Sequence, residues 1–127
     1  EISCSLVGSE MCIRDSSETV TDKVFLLSKA EVGLGAENGI SEGSTLAMFS
    51  DNASRQCRPT AQAVSNSEYT NSSLSASQYW YYFLRSPNAS NSNNVRNVNS
   101  DGTLNNNNAY NGNNGVRPAS VEFTATK

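Results

Sequence analysis

Asparagine supplies most of the chemistry in this chain: 13 of the 27 residues from Asn88 to Asn114 are Asn. Its short side chain carries two donors and an acceptor and tolerates turns and left-handed backbone, so such a tract suits contact through many modest hydrogen bonds. The candidate contact residues are Asn91, Asn93, Asn94, Asn97, Asn99, Asn105, Asn107, Tyr110, Asn111 and Asn113. The plainer reading of the same tract is low-complexity, solvated loop with no ligand. Arg85 and Arg117 form a second set, each close to a proline in apolar surroundings. Five donors and no acceptor suit a guanidinium to tying several backbone carbonyls, so a structural role is expected for both. Trp80 is expected to join them, within the dense run Tyr79-Trp80-Tyr81-Tyr82-Phe83-Leu84. On a strand, alternate members of that run would face opposite sides.

Catalytic chemistry finds little footing. The sequence has no histidine, which removes the usual general base near neutral pH, the usual metal ligand, and every Ser-His-Asp or Cys-His arrangement. Asp51, Glu68, Asp101 and Glu122 are too scattered to nominate a carboxylate pair. Near the Asn tract only Asp101 is acidic, which is short of the charge a calcium site wants. The expectation is a chain without catalytic residues, metal or cofactor. With 9 Lys+Arg against 12 Asp+Glu it has no basic excess to meet phosphates, so no nucleic-acid partner is expected. No 18-residue apolar run occurs, so no membrane span is expected either. Apolar residues make up 36% of the 127, below the usual ~45–50%, and the length allows one domain.

The elements that must position these residues are short. Val24-Phe25-Leu26-Leu27 suits a buried strand. Ser28 and Glu31 have the spacing of a capping box, with Gly33 and Gly35 ending that helix after a turn or two. Residues 37–44 read as loop, residues 45–49 are too short to assign, and Pro59 stands near the start of a helix through Val64. Ser65 to Gln78 reads as a polar loop. The aromatic run then reads as a strand limited by Pro87. Asn94 to Ser100 alternates, Asp101-Gly102 supplies a hairpin turn into Thr103-Leu104, and Asn105 to Asn114 reads as a second loop. Val121-Glu122-Phe123-Thr124 alternates as a last, half-buried strand. Short helices followed by short, mostly antiparallel strands predict an α+β domain.

Residues 1–16, EISCSLVGSEMCIRDS, fit neither helical nor strand period and make a poor signal peptide. The stretch resembles the conceptual translation of a sequencing adapter, which implies a non-native segment at 1–16 and one domain over 17–127, incomplete at its N-terminus. Cys4 and Cys12 would then carry no meaning. Cys57 alone cannot form an internal disulfide or a Cys-based zinc site, and reads as a small buried residue.

Three blocks carry a family resemblance. Thr21 to Val32 (TDKVFLLSKAEV), Tyr79 to Pro87 ending LRSP, and Val98-Asn99-Ser100-Asp101-Gly102 with Gly115-Val116-Arg117-Pro118-Ala119 resemble, in order and spacing, the domain of unknown function family 6273. Trp80 departs from the pattern by standing further from Leu84 than usual. The resemblance implies a C-type-lectin-like fold related to formylglycine-generating-enzyme-like domains, whose redox-active cysteine pair Cys57 alone does not match. The Asn-loaded region before a GVRPA-like ending also resembles the variable region of proteins diversified by retroelements. Together these imply a non-catalytic binding or display module of a phage or bacterial surface protein. Its partner would be a cell-surface protein or glycan, engaged multivalently through a larger parent. A structural domain without ligand is the alternative, and a formylglycine-generating type of enzyme a distant third.

Overall fold

The apolar run after Asp22 forms the strand its composition predicts, one residue early: β1 spans Lys23–Leu26. In this computed structural model the described residues are 23–121. The expectations for residues 1–16, with Cys4 and Cys12, and for residues 122–124 lie outside them. β1 pairs antiparallel with β5, Pro118–Val121, with Phe25 opposite Ala119 and Leu26 opposite Pro118. Proline at the first position of a strand gives up only one ladder donor. The last described strand therefore begins three residues before Val121, where alternation alone had placed its start.

The capping box at Ser28 forms, but no helix grows from it. Ser28 N–H donates to Glu31 Oε1 (2.9 Å) and Glu31 N–H to Ser28 Oγ (3.1 Å). Gly33, at φ 84°, closes the turn at once: its N–H bonds Ala30 O and that of Leu34 bonds Lys29 O, both at 3.0 Å. This is the paired Schellman closure, and it leaves room for one turn between cap and stop. Two short helices follow. In α1, Asn52–Arg55, Asp51 accepts from Ser54 N–H while Ser54 Oγ accepts from Asp51 N–H, a capping box that was not anticipated. In α2, Ala61–Asn66, Thr60 is the N-cap, so Pro59 lies just outside the helix.

A three-stranded antiparallel sheet carries the rest, in the order β2 (Tyr82–Pro87), β3 (Asn94–Val98), β4 (Leu104–Asn108). The architecture is α+β, small antiparallel sheets with a few short helices. The aromatic strand starts later than its composition suggests, because residues 79–81 bond to loops instead of a strand. Trp80 N–H donates to Cys57 O (3.0 Å) and Tyr81 O accepts from Gly115 N–H (2.9 Å). Trp80 and Tyr81 consequently do not face opposite sides; their rings stack with centroids 4.7 Å apart. A register shift between Phe83 and Pro87 lets β2 end opposite Val95.

The expected loop over 105–114 is half strand. Asn94 to Val98 pair with Asn108 to Leu104 residue for residue, so the backbone ladder overrides the low strand preference of Asn. Asp101-Gly102 makes the turn, with Asn99 N–H on Thr103 O at 2.8 Å and Gly102 at φ 88°. One sheet face carries the core: Leu27, Val32, Phe49, Tyr82, Leu84 and Val98 bury together, with Phe25, Leu34, Cys57, Leu104 and Ala119 packed at the edge.

Candidate functional site

Backbone pairing sorts the asparagines by face, since directly opposite residues point to the same side of a sheet. Asn97 and Asn99 share the side away from the core with Asn105 and Asn107; Asn94, Asn106 and Asn108 share the side of Val98. After β4 the chain crosses that outer side. Ala109 N–H bonds Asn93 O (3.1 Å) at one end, and Gly115 reaches the far edge of β2, where Phe83 N–H donates to its carbonyl at 3.0 Å. Residues 109–114 therefore run over the outer face from β4 to β2.

That crossing divides the candidate contact residues. Asn97 lies beneath it, 0% exposed, donating through Nδ2 to Asn114 Oδ1 (3.1 Å), while its own Oδ1 is buried and finds no hydrogen bond among the described residues. It has no surface to offer a ligand. Asn94 Nδ2 donates to Asn106 Oδ1, and Asn105 Nδ2 to Asn99 Oδ1 at 3.2 Å, so these amides serve the sheet. Asn91 Oδ1 holds the Asn93 N–H (3.0 Å), and Asn111 Oδ1 holds that of Asn113 at 3.4 Å. Asn93, Asn107 and Tyr110 are different. Among the described residues their side chains make no hydrogen bond, and Tyr110 is 85% exposed. The Ala109–Asn93 bond gathers the three at one end of the hairpin, where the β2–β3 loop meets the start of the crossing.

The structural residues hold this platform. Arg85 Nη1 donates to Leu26 O and to Glu31 Oε1, and Nη2 to Glu42 O, binding the one-turn segment and the following loop to β2. Arg117 Nη1 reaches Arg55 O (3.3 Å) and Tyr82 Oη (3.0 Å), with its guanidinium 5.3 Å from the ring centroids of Phe49 and Tyr82. Trp80 Nε1 donates to Asn113 O (2.8 Å), which fastens the crossing segment.

Two polar centres were not read from the sequence. Arg55 is buried and donates to Gly102 O, Val32 O and Asn52 Oδ1, joining α1 to the hairpin tip and the one-turn segment. Its carbonyl accepts from Tyr82 Oη at 2.6 Å, and burial pushes that phenol above its ordinary pKa. Glu37 falls in a segment that reads only as loop from sequence. It is 6% exposed and bonds Arg96 through both carboxylate oxygens, with Lys29 Nζ at 3.0 Å and the Ala89 N–H at 2.8 Å. The Arg96 guanidinium, aided by that N–H and Lys29, overcomes the cost of burial and holds the carboxyl at about 2 against an ordinary 4.5. Asp51 at spacing three from Ser54 was a legible signal for α1; nothing local marks Glu37 or Arg55 as partners of residues about fifty positions away.

Among the described residues no three His, Cys, Asp or Glu gather as a metal site, and no helix is long and apolar enough to cross a membrane. Cys57 is half-buried against the core cluster. The arrangement can present neutral amides and a phenol from a rigid hairpin.

The sequence matches the family described as Domain of unknown function (DUF6273) over residues 5–121, and the chain belongs to that family. No curated protein and no solved structure matches it.

Proposed function

We propose that this member of the family is a non-catalytic binding module with a C-type-lectin-like fold, displaying its ligand face from a phage or bacterial surface protein. One observation carries the reading: Asn93, Asn107 and Tyr110, the candidate side chains that make no hydrogen bond among the described residues, lie at the end of the hairpin where the β2–β3 loop meets the start of the crossing. An exposed tyrosine amid short amides supplies apolar area and adaptable hydrogen bonds at low entropic cost, the composition of many protein-contact surfaces. The fold reading is supported by the β1–β5 pairing, which closes the described chain on itself and leaves the three-stranded sheet and its loops as a separate platform. Each contact is weak, so affinity would come from several copies on one parent particle. Retroelement-driven variation fits the Asn content of residues 88–114; a template repeat matching these codons beside a reverse transcriptase supports it, and lack of both removes it.

The test is binding of the full chain, presented in multiple copies, to bacterial and host cell surfaces and to arrayed surface proteins and glycans. Tyr110→Ala, combined with Asn93→Ala and Asn107→Ala, should abolish the signal while thermal unfolding stays unchanged. A specific observation favours the alternative structural reading: Asn94, Asn97, Asn99, Asn105 and Asn106 spend their amides on one another or on the side chains of Thr103 and Asn114. Indifference of binding to the triple variant, or absence of binding to any surface, would leave that reading in place.

A further inference from the structure

We infer that a second copy of this chain docks on the free edge of β4, antiparallel, with Asn106 opposite Asn106 across a twofold axis. The hydrogen bonds of the hairpin fix which backbone groups that edge offers. Asn99 N–H donates to Thr103 O (2.8 Å) at the tip and Ala109 N–H to Asn93 O (3.1 Å) at the other end. Opposite residues of an antiparallel ladder alternate between bonded and non-bonded pairs. Asn105 and Asn107 therefore spend their backbone groups on Asn97 and Val95, and those of Leu104, Asn106 and Asn108 point away from β3. No described strand lies on that side, since β4 ends the order β2-β3-β4. Among the described residues the one partner these outward groups find is Asn111, whose N–H donates to Asn108 O at 3.0 Å.

This edge is complementary to itself. Of the twofold registers, only the one centred on Asn106 engages all three outward residues. Each Asn106 then exchanges N–H and C=O with its counterpart, and each Asn108 N–H meets a Leu104 O, all groups with no other described use. Each Leu104 N–H meets Asn108 O as that oxygen's second donor. The strand, LNNNN, has no charge and no proline, and it pairs residue for residue with β3, so it lacks the devices that keep edges apart. The side chains agree with the same register. Asn105 and Asn107 of the two copies fall opposite each other as non-bonded pairs, the closest side-chain approach in a ladder. Asn105 Nδ2 is spent on Asn99 Oδ1 (3.2 Å), which leaves its Oδ1 to accept, while the Asn107 amide makes no hydrogen bond among the described residues. Symmetry brings each unspent Asn107 amide to an Asn105 oxygen of the other copy, a match that a foreign strand would have to reproduce. The outer faces stay on one side of the joined sheet, with the two exposed Tyr110 side chains roughly 25 Å apart along the ladder.

The inference goes beyond the reading of the chain as a binding module and needs no ligand. The contact is small, so association is expected between about 10 µM and about 1 mM, the range that a few modest hydrogen bonds sustain. Sedimentation equilibrium of the full chain across that range should show monomer and dimer and nothing larger, because each copy has one such edge. Amide exchange at the two ends of the range should show protection gained with concentration at Leu104, Asn106 and Asn108. Asn105 and Asn107, already held by the ladder, should gain none. Asn105→Lys with Asn107→Lys sets like charges opposite one another and should weaken dimerisation about ten-fold or more. Asn105→Lys with Asn107→Glu sets opposite charges there in this register alone and should restore it. Both variants lose the same contact to Asn99, so their comparison cancels its cost. Tyr110→Ala should leave dimerisation unaltered, which separates this contact from binding at the Tyr110 end. A monomer at every concentration, open-ended assembly, or equal dimerisation of the two charge variants would overturn the inference. Should a variant fail to fold, amide exchange of the parent chain decides. Full protection of Leu104, Asn106 and Asn108 in the monomer would assign the edge to another segment of the same chain. Protection gained only on adding an unrelated strand-forming peptide would assign it to a foreign partner. Either result would also overturn the inference.

Discussion

Replacing Glu37 with Gln should destabilise the chain near neutrality and have a progressively smaller effect as the medium is acidified. Glu37 is a buried carboxylate shared by Arg96, Lys29 and the Ala89 N–H, and its carboxyl is held at about 2 instead of 4.5. A folded-state value below the unfolded one means that the folded chain holds the charged form more tightly. The stabilisation is therefore complete above the unfolded value and is lost as pH falls from about 4.5 toward 2. At ~1.4 kcal/mol per pH unit, that interval has a ceiling of ~3 kcal/mol. The Lys29 and Arg96 side chains keep 13% and 19% of their surface in solvent, and screening there brings the expected increment to ~2 kcal/mol. Linkage places roughly 60% of that increment as lost by about pH 3. Urea unfolding followed by Trp80 fluorescence at a series of pH values gives the parent-minus-variant difference directly, and other carboxylates cancel in the subtraction. The variant also leaves Arg96 and Lys29 as uncompensated cations, so the difference at neutrality should sit at or above ~2 kcal/mol. A difference as large at pH 3 as at pH 7 would refute the assignment of Glu37 as the ionised centre of this cluster.

Three further perturbations follow from the packing. Gly102→Ala should cost at least ~3 kcal/mol, because its Cβ would stand 1.9 Å from Asn52 O at a φ of 88°; a thermal midpoint lowered by only a degree or two would contradict that close approach. Tyr82→Phe removes the donor to Arg55 O and a partner of Arg117, and should lower urea stability by ~1–2 kcal/mol with the hairpin intact in amide exchange. Leu84→Ala, at 1% exposure in the centre of the core, should cost ~2–5 kcal/mol by denaturant unfolding, and a neutral result would mean the sheet is not packed on Val32 and Phe49 as described.

Local signals carried the expectations that succeeded. Val24 to Leu26 reads as strand by composition, Asp101-Gly102 as a hairpin turn by backbone chemistry, and Ser28 with Glu31 as a cap by spacing; all three appear. The failures share a different cause. Residues 105–108 look like loop because Asn disfavours strands, yet β3 lies alongside with every backbone group available, and pairing prevails over propensity. Tyr79 to Tyr81 look like strand because aromatics favour it, yet their backbone is claimed by Cys57 and Gly115. The Ser28 cap and the Gly33 stop are both legible, but they stand so close that only a single turn, and no helix, fits between them. In the candidate site the Asn tract was visible from composition alone. Which amides are spent and which are left over depends on contacts such as Asn97 to Asn114 and Asn105 to Asn99, which only the folded chain brings together.

The same partition limits how this surface can change. A side chain at Asn97 must fit beneath the crossing segment with no exposed area, and any larger residue there has to displace Asn114 or the chain carrying it. Asn94 and Asn99 are restrained less severely: replacing Asn94 loses one amide contact and replacing Asn99 loses two, and neither is fully buried. Asn93, Asn107 and Tyr110 can be replaced without breaking a hydrogen bond of the described chain. The crossing segment itself is fastened by backbone groups, Ala109 N–H, Asn113 O and Gly115 on both sides, none of which depends on the identity of the side chains between them. The side chains of Asn111 and Asn114 add to that hold, through the Asn113 N–H and Asn97, so the remaining positions of the segment are the ones that can vary without moving its path. That property is what a variable contact surface requires, and the Asn97 position is where variation should be least tolerated.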